Sequence, residues 1–200
     1  MKKNSDQIIK LAQEVLNIEA EEILKASKSI SNNFTDAVNE ILGCGGRVVL
    51  SGMGKSGHIA RKIASTFAST GTPAFFMHPG EASHGDLGMI TKEDIVIFFS
   101  NSGQSNELIS ILPTIKRIGA KIIGISGNAN SELANQSNIH ISAAVTKEAC
   151  PLGLAPTASS SVSLALGDAL ALCVLDLREF TAEDFARSHP GGNLGNNILI

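Results

Sequence analysis

The sequence RVVLSGMGKSGH at residues 47–58 joins an apolar strand-like run to a glycine-rich turn and the start of a helical pattern. A similar arrangement, DIVIFFSNSGQSNE, occupies residues 94–107. The two turns are rich in serine and glycine and add one cation, Lys55, and one carboxylate, Glu107. In an open α/β sheet, turns of this kind lie at the carboxyl ends of strands, where ligands bind. We therefore expect these turns to form one anion-binding site.

Short apolar runs elsewhere in the chain predict the rest of the sheet. They are mostly β-branched or aromatic and are bounded by Gly, Pro, Asn or Ser, which is typical of strands. With the two runs above they are PAFFMH (73–78), KIIGIS (121–126) and NIHISA (138–143). Helical patterns at about 5–30, 34–42, 57–69, 105–118, 130–136 and 157–178 surround or separate them. Continuous apolar strands are covered on both faces, so we expect a five-stranded parallel sheet flanked by helices in a three-layer α/β sandwich.

Composition limits the function further. The chain has 200 residues, is 43% hydrophobic and carries a formal net charge of -3, so we expect a single domain and no nucleic-acid partner. No apolar core follows the lysines of MKKNSDQIIK, and Gly167, Asp168 and Asp176 interrupt the apolar stretch at 162–177. This predicts no signal peptide and no membrane partner, and hence a cytoplasmic protein. Three widely separated cysteines suggest neither a disulfide framework nor a zinc ribbon, and we expect reduced, mostly buried thiols.

Three interpretations of the first turn compete. A P-loop would need its first glycine at position 49, which is Val49, and fails on spacing. Gly52, Gly54 and Gly57 do fit G-x-G-x-x-G, but the acidic ribose ligand expected about 20 residues later would fall near the His78–Pro79 pair, which disfavours a dinucleotide. The third interpretation is a close-approach turn for a sugar phosphate.

The second turn supports the sugar phosphate. Ser100, Ser102 and Ser105 offer three hydroxyls at a helix start, and hydroxyls with helix amides suit a phosphate monoester. The alternative is that Ser105 only caps the helix and the other serines fill a turn. Because we expect the second turn to lie beside the first, we favour the phosphate site.

Four blocks of the chain closely resemble the sugar isomerase (SIS) domain of bacterial D-arabinose 5-phosphate isomerases. The similarity runs from about residue 10 to the end, and HPGEASHGDLG (78–88), EACPLGLAPT (148–157) and SHPGG (188–192) are specific to that branch. The resemblance implies the SIS fold, a homotetramer with sites near subunit interfaces, and interconversion of D-ribulose 5-phosphate and D-arabinose 5-phosphate at the entry to Kdo for lipopolysaccharide or capsule. Many members carry a pair of CBS domains after the SIS domain. We expect residues 1–200 to be a single SIS domain without that pair.

The resemblance also places functional residues. The family's catalytic positions fall on Lys55, His84, Glu107 and His189. Aldose–ketose isomerisation through an enediol needs a carbon base, a proton shuttle between two oxygens and a group that stabilises the enediolate. Glu107, in the first turn of its helix, suits the base, and Lys55 suits the substrate oxygens. The two histidines divide proton shuttling and ring opening, in an order that the sequence leaves open.

The phosphate would be bound by Ser56, Ser100, Ser102 and Ser105, with Gly54 and Thr157 as further substrate contacts. Thr157, Ser159 and Ser160 begin a helix and either cap it or touch substrate. No two histidines show a metal-binding spacing, and enediol chemistry requires no metal, so we expect no metal and no cofactor. Two alternatives to the isomerase stay open. One is a catalytically silent SIS module that senses a phosphosugar, and the other is a different phosphosugar isomerase.

Overall fold

The structure is a computed structural model and describes residues 4–188. The strands are β1 (Val48–Gly52), β2 (Ala74–Met77), β3 (Ile95–Phe99), β4 (Lys121–Ser126) and β5 (Ile139–Ser142). The helices are α1 (Ser5–Lys28), α2 (Asn32–Leu42), α3 (Gly54–Ser69), α4 (Pro79–Ala82), α5 (Asn106–Ile118), α6 (Glu132–Gln136), α7 (Ala158–Leu177) and α8 (Ala182–Ser188). A 3₁₀ turn, Asp86–Met89, follows α4. The sequence analysis did not predict α4, the 3₁₀ turn or α8.

All five strands form one parallel sheet in the order β2-β1-β3-β4-β5. This confirms the predicted sheet and its three-layer α/β class. Every residue of β1 and β3 is buried, which explains why their sequences are continuous apolar runs.

Two apolar cores lie on opposite faces of the sheet. On one face, strand residues such as Leu50 and Ile97 pack with α1, α2, α3 and α7. On the other face, Val49, Val96 and Phe98 pack with α4, α5 and α6. Alternate residues of each strand thus belong to alternate cores, as the two-residue period of a strand requires. The helix after β1 therefore lies on the opposite face from the helix after β3.

Helix α7 packs against other helices. Its main contacts within this chain are with α1, α2 and α3. A Cβ atom at Gly167 would lie 2.6 Å from Ile63 Cγ1, so glycine permits the close approach of α7 to α3. By length and composition alone, with a mean hydropathy of 1.7, α7 could cross a membrane. Its Val162, Leu166 and Leu170 instead belong to the core of this domain.

The cysteines differ from expectation in their burial. All three are free thiols, but Cys44 and Cys150 are half-buried and Cys173 is exposed. Cys44 follows the end of α2, Cys150 lies in the loop before α7, and Cys173 lies on α7. The prediction that most thiols are buried is wrong: Cys44 packs against the edge of one core but stays half-buried, and the other two thiols are half-buried or exposed.

Candidate active site

The two serine- and glycine-rich turns meet at the carboxyl edge of the sheet. Strands β1 and β3 are neighbours, and Gly52 at the end of β1 is in register with Phe99 at the end of β3. Because α3 and α5 leave these strands toward opposite faces, the two turns diverge and leave a crevice between them. A ligand is expected at such a switch point of a parallel sheet.

Glycine lets the first turn approach its neighbours. A Cβ atom at Gly52 would lie 2.9 Å from the carbonyl oxygens of Phe99 and Ser56, and one at Gly57 would lie 2.6 Å from the Gly52 oxygen. Real Cβ atoms essentially never come so close, so both positions require glycine. Gly54 has φ +54° but open space where a side chain would stand. The structure thus shows a turn packed closely against neighbouring backbone, and its role toward a sugar phosphate stays a prediction.

The second turn is organised by its own backbone. Ser100 Oγ accepts a hydrogen bond from Gly103 N (3.1 Å), and Ser102 Oγ accepts one from Gln104 N (3.2 Å). Ser105 stands at the N-cap position of α5, yet its side chain caps no helix N–H group and instead lies 3.4 Å from Ser100 Oγ. A hydroxyl that accepts a backbone hydrogen bond keeps its own hydrogen to donate. The turn therefore presents hydroxyl donors beside the first turn of α5, which has no side-chain cap.

A cleft of about 210 Å³ lies against these turns. It is lined by Met53, Lys55, Ser56, Ile59, Asn101, Pro156, Ser159, Ser160 and Ser163. Among these lining residues Lys55 carries the only charge, and it forms no salt bridge with any residue between 4 and 188. An unpaired cation among hydroxyls favours an anionic ligand.

The start of α7 forms the far wall of the cleft and is fixed by Glu148. The Glu148 Oε2 atom accepts hydrogen bonds from Thr157 N (2.8 Å), Thr157 Oγ1 (2.9 Å) and Ser159 N (3.3 Å). Burial alone would raise the pKa of Glu148, but hydrogen bonding from Ser159 and Thr157 outweighs burial and holds its pKa below the ordinary value. The Ser159 hydroxyl stands near enough to contribute, yet it forms no hydrogen bond of normal geometry. The carboxylate thus caps the helix in place of the N-cap side chain.

The predicted site residues fall into groups. Lys55 and Ser56 line the cleft, and Ser100, Ser102 and Ser105 form the adjoining turn. The Thr157 hydroxyl is engaged with Glu148 and with Ala149 N (2.8 Å), so the structure uses this side chain within the protein.

Two further predicted catalytic residues, Glu107 and His84, lie at the same edge of the sheet but outside the cleft wall. Glu107 is exposed in the first turn of α5. His84 is exposed in the loop after α4, and α4 packs against α5. His189 lies outside the described residues. Elsewhere, the His140 ring forms a hydrogen bond with Ser126 Oγ at 2.9 Å, and burial lowers the pKa of His140.

Sequence reasoning missed two residues at the site. Asn101 was present in the SNSGQSNE turn but was not singled out, because its neighbours offered hydroxyls; it lines the cleft. Glu148 begins the EACPLGLAPT block, and that block was the one signal that could have found it. Between residues 4 and 188, no group of three or more His, Cys, Asp or Glu side chains is arranged to hold a metal ion.

The chain matches a family model and several curated proteins. The SIS domain model matches residues 41–173. The arabinose 5-phosphate isomerase KdsD of Escherichia coli is 54% identical over 188 residues, which are 94% of this chain and 57% of that relative. The KdsD protein of Pseudomonas aeruginosa is 52% identical over 200 residues, which are all of this chain and 61% of that relative. The chain therefore spans about three fifths of the length of these curated relatives.

One solved structure also resembles this chain closely. A protein of Escherichia coli strain CFT073, in complex with arabinose 5-phosphate, superposes with a TM-score of 0.91 at 42% identity. The match covers 94% of this chain and 100% of that one. The family model covers most of the chain, and a relative well above 30% identity is covered in full. The chain belongs to the SIS domain family.

Proposed function

We propose that this protein interconverts D-ribulose 5-phosphate and D-arabinose 5-phosphate through an enediol intermediate. The observation that carries the proposal is the cleft at the β1–β3 switch point, where Lys55 is the only charge among hydroxyl and amide side chains. Relatives named arabinose 5-phosphate isomerase, at 52–54% identity, support the substrate and the reaction. Metal chemistry is not needed for this route.

The phosphate would bind at the second turn and the start of α3. Ser100, Ser102 and Ser105 present hydroxyls beside the start of α5, and Ser56 adds another from α3. Hydroxyls and helix N-terminal amides together neutralise a phosphate without a dedicated salt bridge. Lys55 is then left for the oxygens on carbons 1 and 2, where the negative charge of the enediolate develops.

Glu107 would act as the carbon base. It would take a proton from carbon 1 of the ketose, leaving an enediolate, and return a proton to carbon 2 to give the aldose. Its place in the first turn of α5 favours the ionised form that a base requires. A second proton must move from the carbon 1 hydroxyl to the carbon 2 oxygen, and His84 and His189 are proposed for this transfer and for opening the furanose ring of the aldose.

We also propose a cytoplasmic homotetramer that supplies Kdo synthesis, with active sites near subunit interfaces. The names of the relatives support the pathway. Large apolar side chains exposed on the outer helices are consistent with assembly, since a monomer rarely exposes many of them together. They include Ile8, Ile9 and Leu16 of α1 and Leu172 and Leu177 of α7. Light scattering coupled to size-exclusion chromatography tests the tetramer.

The decisive test is turnover of ribulose 5-phosphate in D₂O, followed by proton NMR. We expect arabinose 5-phosphate to appear with deuterium at carbon 2, because the proton held by the base exchanges with solvent. Glu107→Gln should lower kcat by at least a hundredfold. The matched control is Glu132→Gln, which removes another carboxylate from a first helical turn and should leave kcat unchanged.

Each alternative has its own outcome. A phosphosugar sensor would bind arabinose 5-phosphate saturably but show no turnover. A different phosphosugar isomerase would turn over another substrate with a higher kcat/KM. A folded Glu107→Gln variant with wild-type kcat would refute the assignment of the base while leaving the overall reaction intact.

A further inference from the structure

Two serines of α7 bring accessible hydroxyls to the cleft. Ser160 and Ser163 both line it, are half-buried, and lie three residues apart on one face of the helix. Neither Oγ atom has a hydrogen-bond partner in the part of the chain that the structure describes. Within that part, the only buried side-chain atoms without a partner belong to Thr72 and Ser159. The Ser160 and Ser163 oxygens are therefore not buried, and a ligand in the cleft can reach them.

These two hydroxyls differ from other helical serines of the chain. A serine within a helix can donate to a carbonyl oxygen of its own preceding turn. Ser27, Ser69 and Ser110 do so, with oxygen–oxygen distances of 2.9, 3.0 and 3.0 Å. Ser160 and Ser163 do not, so each hydroxyl keeps its hydrogen and its acceptor positions for a ligand.

The serines stand where the packing of α7 against α3 opens into the cleft. Near the middle of α7 the two helices touch, since a Cβ atom at Gly167 would lie 2.6 Å from Ile63 Cγ1. Toward the start of α7, Ser160 and Ser163 share the cleft with Ile59, one turn before Ile63 on α3. Serine is small enough to leave this gap open, and its hydroxyl makes the α7 wall polar without adding charge.

We propose that Ser160 and Ser163 are a pair of specificity-determining residues that bind the two adjacent, non-reacting hydroxyls on carbons 3 and 4 of the sugar phosphate. The inference rests on the proposed function. There the second turn binds the phosphate and Lys55 binds the reacting oxygens, which leaves the α7 wall for the middle of the carbon chain. Residues three apart on a helix have Cβ atoms about 5–6 Å apart, so each serine can reach one of two vicinal hydroxyls. A neutral hydroxyl that both donates and accepts suits a neutral diol.

The kinetic test compares Ser160→Ala, Ser163→Ala and the double variant with a matched control. We expect each single variant to raise KM for ribulose 5-phosphate about fivefold and the double variant about 25-fold. The kcat value should stay within about threefold, because a non-reacting hydroxyl is bound equally before and during the reaction. The control is Ser69→Ala, which removes another half-buried helical hydroxyl, at the far end of α3, and should change neither value. Thermal unfolding should show all variants folded.

Binding measurements separate this inference from the proposed reaction. Isothermal titration uses arabinitol 5-phosphate, which cannot isomerise, and propyl phosphate, which keeps the phosphate but has no hydroxyl on its carbon chain. We expect the double variant to bind arabinitol 5-phosphate about 25-fold more weakly than wild type and propyl phosphate equally well. If wild type shows this serine-dependent binding but turns over no ribulose 5-phosphate, the reaction is refuted and the hydroxyl contacts stand. Unchanged affinity for arabinitol 5-phosphate in the double variant, or equal weakening of propyl phosphate, would overturn the proposal.

Discussion

Replacing Glu22 by Gln should destabilise the protein in a strongly pH-dependent way. Glu22 lies on α1, is 1% exposed, and links that helix to the segment before Glu148. Its Oε2 atom accepts a hydrogen bond from Thr146 N (2.8 Å), and its Oε1 atom accepts from Lys25 Nζ (2.7 Å) and from the Thr146 hydroxyl. Burial opposes ionisation, but these hydrogen bonds outweigh it and lower the pKa of Glu22 from 4.5 to about 2.

The magnitude follows from linkage. The difference between pKa values of 4.5 and about 2 corresponds to about 3.4 kcal/mol of unfolding free energy when the group is fully ionised. Lys25 is 51% exposed, so solvent weakens its interaction with Glu22. We therefore expect Glu22→Gln to lower the unfolding free energy by about 2 kcal/mol at pH 7. Because the pKa of Glu22 is lowered in the folded state, its ionised carboxylate stabilises the fold above pH 4.5. This stabilisation is lost as the pH falls toward 2. At pH 3 the difference between wild type and variant should drop to less than half of its pH 7 value.

Urea unfolding at pH 7 and pH 3, followed by circular dichroism, measures both values. The control is Glu14→Gln, an exposed position on the same helix, which should change the unfolding free energy by less than about 0.5 kcal/mol at either pH. Equal losses in the two variants at pH 7 would refute the reasoning. So would a Glu22→Gln loss that does not shrink at pH 3, because the stabilisation would then not depend on the ionised carboxylate.

Further predictions concern the turns and the loop before α7. Gly103→Ala should lower the unfolding free energy by about 2–4 kcal/mol and raise KM, because φ is +65° and the new Cβ atom would lie 2.1 Å from Ser131 Oγ. Gly54→Ala, with φ +54° in open space, should cost only about 1 kcal/mol in the same urea titration. In a variant with its other two cysteines replaced by serine, Cys150 should be alkylated by iodoacetamide with a pH midpoint below that of a free thiol. The backbone N–H groups around the sulfur, first that of Ala155, lower the pKa of Cys150; a midpoint at or above that of glutathione would contradict this assignment.

The fold was largely predictable because its signals are local. Each of the five strands is a continuous apolar run between turn residues, and the structure has all five at the predicted places within one or two residues. The requirement for glycine at positions 52 and 57 was also readable, since a close turn between strand and helix tolerates no Cβ. Helices α4 and α8 gave no such signal, and α4 is held by its packing against α5.

The candidate site was predictable only in part. The hydroxyls of the serine-rich turn are evident from the sequence, but only the structure shows that Ser105 leaves α5 without a side-chain cap. Glu148 is distant in sequence from both turns, and nothing in its local pattern marks it as the group that fixes the start of α7.

By itself, then, the sequence determined the parallel α/β sheet, the two turns and the chemical types gathered there, because hydrophobic runs and turn chemistry are properties of neighbouring residues. The tertiary structure decided the strand order, which makes β1 and β3 adjacent, and it decided that α7 closes the cleft. It also decided that Glu148, from the loop before α7, holds the first turn of that helix. Burial and pairing depend on atoms brought together from distant parts of the chain, and no local pattern encodes them.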